Sequence, residues 1–509
     1  MSAVASESSI AAVGAKSVDA GEDRLSARKA LTIVLLVNLV RLGLSFAFEL
    51  TPQEAYYFFY SQHLSLSYFD HPPAIAVFLR LFTALFGYRE LSLRLAAFTL
   101  SILMQLSWLR VAGELLPARI WPRASLLFTT TGMVTVVCLV STPDVPLLLF
   151  WTLALHQLYR AIFFDRRSAW ILAGISMGLA FDSKYTGAFL QIGMLGFLAM
   201  SAKRRRWLKT PWPYLALGIA HLVMAPVYIW NAQHGFASFL FQTSERAAAI
   251  SIPHPRYFFA LLATQSVLLM PPLLIAVAWL ALFPRRICRM LEQPVRERAL
   301  FLFCFFLPIA WLFGALSLFA LVKANWMMPC YLSALLLVSL VFSSAWIRWN
   351  LIFSGVIHLL ATIQLLFYPV RILSDDTWLG WKELASKVSE LRTRYPDAFV
   401  FSADGYKTTA ELLFYTGSKV YGPNVIGQRG LQFDYVDRDL SQLIGRDGLF
   451  VDSSPGDTSP GPSLQEPAAA AYFERCEQMD PLLIRRDDRV LRKFFIYLCR
   501  HYRGPSIQR

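Results

Sequence analysis

ALFLFCFFLPIAWLFGALSLFAL, residues 299–321, contains no charged side chain and decides the fold class. A run of about 20 apolar residues is long enough to cross the hydrocarbon core of a bilayer. In lipid the backbone has to satisfy its own hydrogen bonds, so such a run forms a helix. The whole chain agrees, because 56% of its 509 residues are hydrophobic and only 16% are charged. Soluble domains carry about 25% charged residues.

Similar apolar runs recur along the chain and predict an all-α polytopic membrane domain with about eleven transmembrane helices. The first run is long for a signal-peptide core and has no clear small-x-small cleavage site, so we interpret it as a retained helix. The predicted spans are 30–48, 91–111, 122–140, 144–164, 168–182, 186–200, 213–230, 257–283, 299–321, 326–346 and 350–369.

Basic residues alternate between the two ends of these spans, which predicts the orientation. Cytoplasmic junctions collect Lys and Arg, so the net charge of +14 indicates topology before it indicates a nucleic-acid partner. With the N-terminus inside, the junctions on the cytoplasmic side hold Arg119, Arg123, Arg166, Arg167, Lys203, Arg204, Arg205, Arg206, Lys209, Arg285, Arg286, Arg289, Arg296, Arg298 and Arg348. The short junctions on the other side hold little beyond Lys184 and Lys323.

The chain divides into three parts by composition. Residues 1–29 are polar and rich in Ala and Ser, and we expect a disordered cytoplasmic N-terminus. Residues 30–369 form the transmembrane domain, with external loops at 50–90 and 231–256. Residues 370–509 combine an amphipathic helix with short β-like runs, AFVFSAD and GLFVDSS, and predict a small α/β domain on the outside.

Six cysteines are present, and none forms a CxxC or Cys/His cluster that would indicate a metal site. Cys476 and Cys499 lie in the polar C-terminal region, where an oxidising compartment would allow them either to pair or to stay free. No cofactor is predicted. Carboxylate pairs leave a divalent metal open, although ligand spacing gives no positive sign of one.

Charged residues at the external ends of the spans are the candidates for chemistry, because charge near the membrane interior is costly. Carboxylates can take a proton from an acceptor or orient its hydroxyl, and lysines can neutralise a leaving phosphate. Ordinary placement at the interface remains the alternative for each residue taken alone. The set comprises Glu54, Asp70, His71, Asp144, Asp182, Lys184 and Lys323.

Several motifs resemble those of the bacterial GT-C glycosyltransferases, the relatives of the lipid A aminoarabinose transferase and of protein O-mannosyltransferases. The resemblance covers roughly residues 30–440 and lies in the order of the motifs together with their topology. They are QEAYY (53–57), YFDHPP (68–73), STPD (141–144), DSKYTG (182–187), PVYIWNAQHG (226–235), GW (380–381), AELLFY (410–415) and QFD (432–434).

The resemblance implies an inverting transfer of a sugar from a polyprenyl-phosphate donor on the outer face of the bacterial inner membrane. It implies catalytic roles for Glu54 and Asp70, and donor-phosphate binding by Lys184 and Lys323. Residues expected to orient acceptor or donor are Gln53, His71, Asp144 and Tyr57. A donor-binding loop is expected at Trp230, Asn231 and His234.

One position departs from the family pattern. The family usually has Asp-Glu in the first external loop, and here Gln53 replaces that Asp. Glutamine cannot take a proton at neutral pH, so either Glu54 or Asp70 acts as the base or no base is needed. The second option suits an acceptor phosphate, which is already anionic. An inactive or much altered member is the remaining alternative.

The leading hypothesis is therefore a glycosyltransferase that modifies lipid A or the lipopolysaccharide core. Galacturonate, aminoarabinose, mannose and other hexoses remain possible donors, with a weak preference for galacturonate. That preference rests on the diverged rhizobial branch of the family and on a basic C-terminal segment, Arg485, Arg486, Arg489, Arg492 and Lys493. The alternatives are a transporter or flippase for a polyprenyl-linked sugar, and a non-catalytic scaffold. Against a transporter, we find no inverted repeat.

Overall fold

The computed structural model describes residues 27–248, 250, 252–457, 459, 461, 463 and 467–505. The N-terminal segment expected to be disordered lies, up to residue 26, outside the described residues. The described chain begins with the helix Ala27–Leu44 and consists mainly of helices up to Phe367. A small mixed domain follows it.

Five helices are long and apolar enough to cross a membrane, and three bent helix pairs raise that number to eight within the described residues. The chain is therefore a multi-pass membrane protein, whereas the count of eleven spans stays a prediction. The five helices are Glu90–Leu115, Asp144–Phe163, Val295–Leu316, Ala324–Val341 and Trp346–Phe367. Other helices at the predicted positions are Ala27–Leu44, Arg167–Ser183 and Phe189–Met200.

The prediction of one continuous span at 257–283 is wrong. The helices Pro255–Leu269 and Pro271–Leu282 meet there at 117°. Met270 between them has a φ of 72°, and the two prolines after it cannot continue the helix. Two more predicted spans are bent: Trp121–Thr129 with Gly132–Leu139 by 56°, and Trp212–Val223 with Ala225–Gln233 by 47°.

The first external loop contains the two helices expected there, Pro52–Gln62 and Ala74–Phe86. Pro52 occupies the first helical position, where its missing N–H costs nothing. Thr51 and Glu54 form a capping box that satisfies backbone donors at this helix start. The first helix is almost entirely buried, which fixes the aromatic side chains that it carries.

Small residues let two membrane helices approach closely. A Cβ added to Gly178 would lie 2.5 Å from the Cβ of Val223, and one added to Gly174 would lie 2.6 Å from the carbonyl oxygen of Ala216. Both glycines belong to Arg167–Ser183, the helix that ends immediately before Lys184. Close packing therefore fixes the position from which Lys184 projects.

The C-terminal domain contains the expected helix, Trp381–Arg394, and a five-stranded sheet. The two β-like runs form the parallel pair β1 (Phe399–Ser402) and β2 (Gly448–Ser454). Three strands were not predicted: β3 (Phe473–Gln478), β4 (Leu482–Arg486) and β5 (Arg489–Tyr502). The sheet order is β1-β2-β5-β3, and β4 also pairs with β5.

These added strands show that the basic C-terminal segment, Arg485 to Lys493, is not a helix. The segment forms the β4–β5 hairpin. Arg492 and Lys493 are buried, at 1% and 0% exposure, where Arg492 meets Asp375 and Lys493 meets Asp457. Cys476 and Cys499, whose pairing the sequence left open, lie opposite each other on β3 and β5 and form a disulfide.

The C-terminal domain packs directly on the first external loop. Its helix Lys407–Thr416 lies against Pro52–Gln62, and Tyr406 stacks on Tyr56 with ring centroids 4.4 Å apart. Glu49 accepts the backbone N–H of Trp381 at 2.7 Å. The domain therefore closes one side of the region that contains the candidate site residues.

Candidate active site

Asp70 lies at the centre of the candidate site, in the turn between the two loop helices. Its carboxylate accepts hydrogen bonds from the hydroxyls of Tyr60 and Tyr56, the latter at 3.2 Å. Its backbone carbonyl accepts from Gln242 at 2.7 Å, which ties both external loops together. Burial raises the pKa of Asp70 above its ordinary value, and the two tyrosines and the positive charge of Lys323 oppose that shift.

Three cations converge beside Asp70. Burial lowers the pKa of His71 well below its ordinary value, and the positive charges of Lys184, Arg246 and Lys323 lower it further. Burial also lowers the pKa of Arg246, against the raising effect of Asp70 and Tyr57. Two separate loops and the end of a membrane helix thus bring positive charge to one place.

Lys184 is the one cation of the three that forms an ion pair. Its Nζ lies 2.7 Å from Oδ1 of Asp144, and both side chains are buried. Asn325 donates to the other carboxylate oxygen at 2.6 Å. Among the residues that the structure describes, neither Lys323 nor Arg246 forms a salt bridge with a carboxylate. These two cations remain available for an anionic ligand.

Tyr57 and His71 line the space between these groups. Their rings meet edge to face with centroids 5.6 Å apart. Burial raises the pKa of Tyr57, and the negative charges of Asp70 and Asp144 raise it further. Nδ1 of His71 is buried without a hydrogen-bond partner in the described part of the chain. Buried polar atoms normally have a partner, so a ligand is expected here.

Gln53 and Glu54 lie on the same helix but in different surroundings. Gln53 lies beside Tyr406 of the C-terminal domain and opposes the burial that raises the pKa of this tyrosine. Glu54 is fully buried and pairs with Arg94 at 2.9 Å. It also accepts the backbone N–H of Ser141 at 3.1 Å. These contacts favour a role for Glu54 in positioning the loop, while its catalytic role stays a prediction.

The expected donor loop is connected through a row of aromatic rings to Phe69, the residue before Asp70. Trp230 stacks on His234 with centroids 4.2 Å apart, and both contact Tyr435, which in turn stacks on Phe69. Asn231 donates to the carbonyl of Val227 at 3.0 Å and accepts the N–H of Phe239 at 3.2 Å. It therefore holds the shape of the loop, and its role in donor binding stays a prediction.

The structure thus brings Asp70, His71, Tyr57, Asp144, Lys184 and Lys323 together. Sequence reasoning missed three residues: Arg94, Arg246 and Asn325. Arg246 was detectable as a basic side chain in a loop predicted to be external, and Asn325 as a polar residue two positions after Lys323. Arg94 gave no such signal, because an arginine near a predicted helix end is ordinary.

The arrangement of possible metal ligands bears on whether the site needs a divalent metal. Within the described ranges, no three His, Cys, Asp or Glu side chains are grouped so that they can hold a metal ion. The requirement for a divalent metal therefore stays open, as the sequence left it.

Comparison with solved structures identifies the fold. The fold is similar to that of ArnT from Cupriavidus metallidurans bound to undecaprenyl phosphate, with a TM-score of 0.61 and 14% identity over 92% of this chain and 97% of that chain. The archaeal oligosaccharyltransferase AglB from Archaeoglobus fulgidus gives a TM-score of 0.50 and 10% identity, covering 83% and 69% of the two chains. The chain has the GT-C fold.

Sequence comparison narrows the class. Residues 70–230 match the family described as dolichyl-phosphate-mannose-protein mannosyltransferase. The chain is 25% identical over 435 residues to the lipid A galacturonosyltransferase RgtD of Rhizobium johnstonii, covering 82% of this chain and 89% of that protein. This protein is therefore a glycosyltransferase dependent on a polyprenyl-phosphate-linked sugar, and it is similar to enzymes of the aminoarabinose transferase and protein O-mannosyltransferase type. The resemblance seen in the motifs is confirmed.

Proposed function

We propose that this enzyme transfers galacturonate from a polyprenyl phosphate to lipid A or to the lipopolysaccharide core, on the outer face of the bacterial inner membrane. The observation that carries the proposal is the convergence of Lys184, Arg246 and Lys323 around Asp70 and His71. The similarity to a lipid A galacturonosyltransferase over most of the chain supports the choice of sugar and acceptor.

Charge counting supports binding of the donor phosphate. The three cations face two carboxylates, Asp70 and Asp144, so one positive charge is in excess while His71 is neutral. A polyprenyl phosphodiester brings one negative charge, and a uronate brings a second. Buried charges are stabilised when they are paired, so the phosphodiester alone balances the excess positive charge. The choice of galacturonate rests on the similarity to the lipid A galacturonosyltransferase.

The reaction itself is a single displacement at the anomeric carbon. An acceptor oxygen forms the new bond to that carbon while the bond from the carbon to the phosphate oxygen breaks. The electron pair leaves with the phosphate, whose charge changes from −1 to −2. Lys323 and Arg246 stabilise this added charge, which is larger in the transition state than in the bound donor. Attack from the opposite face inverts the configuration of the sugar.

Asp70 acts on the acceptor side of this reaction. If the acceptor is a sugar hydroxyl, the ionised carboxylate of Asp70 takes its proton as the new bond forms. If the acceptor is a lipid A phosphate, no proton has to be removed. Asp70 is then the group that keeps the cations and the acceptor in place. Gln53, where the related enzymes usually have Asp, suits this second case because it orients by hydrogen bonding.

The outer-face location is supported by three features of the chain. The disulfide Cys476–Cys499 is typical of a domain in an oxidising compartment. That domain packs on the loop that carries Asp70. The basic junctions lie at the opposite ends of the spans, as expected for the cytoplasmic side.

Mass spectrometry of lipid A and core oligosaccharide from a deletion strain tests the proposal. We expect one hexuronate to be missing, and to return when the wild-type gene but not the Asp70→Asn variant is supplied. Loss of a pentose or a neutral hexose would overturn the acidic sugar but keep the transfer reaction. An unchanged lipopolysaccharide would overturn the acceptor. Epitope tags in the loop 50–90 and after residue 370 test the sidedness independently.

A further inference from the structure

A cavity lies at the end of the membrane domain away from the candidate active site. Its volume is about 1080 Å³, and it opens between the short helix Pro284–Met290 and the helix Val295–Leu316. The latter helix has 22 residues, which corresponds to about 33 Å along its axis, or one bilayer thickness. Because Lys323 follows its far end, this cavity is separate from the candidate active site.

One end of this cavity is strongly basic. It is lined by Arg285, Arg286, Arg289 and Arg296 against a single acid, Glu292. Within the described residues these four arginines form no salt bridge with any carboxylate. Arg296 donates hydrogen bonds to the carbonyls of Leu291 at 2.8 Å and Arg289 at 3.3 Å, and all four arginines are exposed.

The other end of the cavity is apolar. Leu282 and Trp311 line it, and because both belong to membrane helices their exposed side chains, at 71% and 55% exposure, can contact lipid. Trp311 is fixed by a hydrogen bond from its indole N–H to the carbonyl of Ala281 at 3.0 Å. Arg296 and Trp311 are fifteen positions apart on one helix, which corresponds to about 22 Å. The cavity is therefore an elongated groove with a charged end and an apolar end.

We propose that this groove, the arginine groove, binds an anionic glycerophospholipid of the cytoplasmic leaflet. A free anion would satisfy the arginines but leave the apolar wall exposed, whereas a phospholipid matches both ends. Arginine binds phosphate with two parallel hydrogen bonds, so two to four arginines hold one headgroup. The acyl chains lie along Leu282, Phe283 and Trp311. This proposal does not depend on the sugar or the acceptor.

Lipid retention measured by native mass spectrometry tests the arginine groove. The full-length protein is reconstituted in nanodiscs of equal parts phosphatidylglycerol and phosphatidylcholine and then released into mild detergent. The wild type is expected to retain phosphatidylglycerol. The triple variant Arg285→Gln, Arg286→Gln, Arg289→Gln is expected to retain about tenfold less or lower still, since each basic residue near the surface contributes measurably to anionic-lipid binding.

A matched variant separates a built site from general charge. Lys203→Gln, Lys209→Gln and Arg348→Gln remove the same charge from exposed positions predicted to lie on the same side but outside the groove. This control is expected to retain phosphatidylglycerol like the wild type. Equal loss in both triple variants, or no loss in the groove variant, would overturn the proposal.

The apolar end has its own test. Trp311→Ala is expected to retain less phosphatidylglycerol than the wild type. Glycerophosphoglycerol, the headgroup without acyl chains, is expected to bind weakly to the variant and to the wild type. Equal retention of the lipid by Trp311→Ala and the wild type would show that the apolar wall does not contribute, and would overturn a lipid in favour of a simple anion. Folding of each variant is checked by its elution as a single species in size-exclusion chromatography.

Discussion

Arg94 and Glu54 form an ion pair of 2.9 Å that is closed to solvent on both sides, at 1% and 0% side-chain exposure. The pair joins the helix Pro52–Gln62 of the first external loop to the membrane helix Glu90–Leu115. The guanidinium of Arg94 also donates to the carbonyl of Glu49 at 3.0 Å. A carboxylate with these partners holds the loop in place, and Asp70, on the same loop, is left as the acid that faces the cations.

Breaking this ion pair is expected to destabilise the protein. Glu54→Gln or Arg94→Met leaves one buried charge without its partner, which typically costs about 3–5 kcal/mol. Thermal unfolding in detergent should therefore show a lower midpoint for each single variant. The double variant should recover part of the loss, because it removes both charges. A Glu54→Gln protein of wild-type stability with no transfer activity would instead support a chemical role for Glu54.

Removing the Asp70 carboxylate is expected to abolish transfer while the protein remains folded. Loss of a positioned acid–base group typically lowers the rate by about 10²–10⁴-fold, and Asp70→Asn keeps the shape of the side chain. Activity is measured with purified enzyme in detergent or by the lipopolysaccharide profile of a complemented strain. Asp397→Asn, an exposed carboxylate of the C-terminal domain, is the control and should retain full activity.

The tyrosines around Asp70 should set the pH dependence of transfer if the acceptor is a hydroxyl. Hydrogen bonds from Tyr60 and Tyr56 stabilise the ionised carboxylate and lower its pKa. Removing one raises that pKa, so the acid limb of the pH–rate profile should move to higher pH in Tyr60→Phe. A limb that does not move would exclude Asp70 as the titrating base.

The cations are expected to act on the donor phosphate. Arg246→Gln and Lys323→Gln should each lower kcat by about 10²–10³-fold, the usual effect of losing one group that stabilises developing charge. The result is measured as kcat and KM for the polyprenyl-phosphate sugar. Arg256→Gln, an exposed basic residue of the same external loop as Arg246, is the control. A rise in KM alone would assign the cation to donor binding rather than to the leaving group.

Lys184 differs from Arg246 and Lys323 because it forms an ion pair with Asp144. Lys184→Met leaves Asp144 buried without its cation, so both stability and activity should fall. Adding Asp144→Asn to that variant should restore the unfolding midpoint without restoring transfer. Restored transfer in the double variant would show that Lys184 serves only to neutralise Asp144.

Glu49 predicts a pH effect on stability. Burial, together with the nearby charge of Glu383, raises its pKa from an ordinary 4.5 to about 7, although it accepts backbone N–H groups at the start of the helix Trp381–Arg394. The folded state therefore holds this proton more tightly than the unfolded state. Its contribution to stability is present below the unfolded pKa and is lost as pH rises through the folded pKa.

Thermal unfolding from about pH 5 to about pH 8 measures this loss. The midpoint of the wild type should fall across that range, and Glu49→Gln should show a flatter curve because it cannot ionise. Glu383→Gln, which removes the neighbouring acid, should lower the pKa of Glu49 and move the decline to lower pH. Identical curves for Glu49→Gln and the wild type would show that another group is responsible.

Much of the fold followed from the sequence, and the exceptions have local causes. The spans were detectable because each apolar run is continuous and long. The bend at Met270 was indicated by the two prolines after it, although the run looked continuous. The strands β3 to β5 were missed because a long mixed segment alternates poorly, and their pairing depends on contacts with β2.

Part of the candidate site could likewise be predicted from the sequence, and part could not. Motif order pointed to Asp70, Asp144, Lys184 and Lys323, and the structure places them together. Motif order could not show which charged group each of these residues pairs with. Glu54 and Asp70 are both acids of one loop, and only their distances to Arg94 and to Tyr60 distinguish a neutralised carboxylate from one that faces the site.

By itself the sequence determined that the chain is a multi-pass helical membrane protein with a polar C-terminal domain and a GT-C order of motifs. The hydropathy of a span depends only on residues that are neighbours in the chain, so it can be determined from the linear sequence. Only the tertiary structure decided which charges pair, which remain available, and where the arginine groove lies. Electrostatic pairing depends on distance and burial, and both are set by helices that are far apart in sequence.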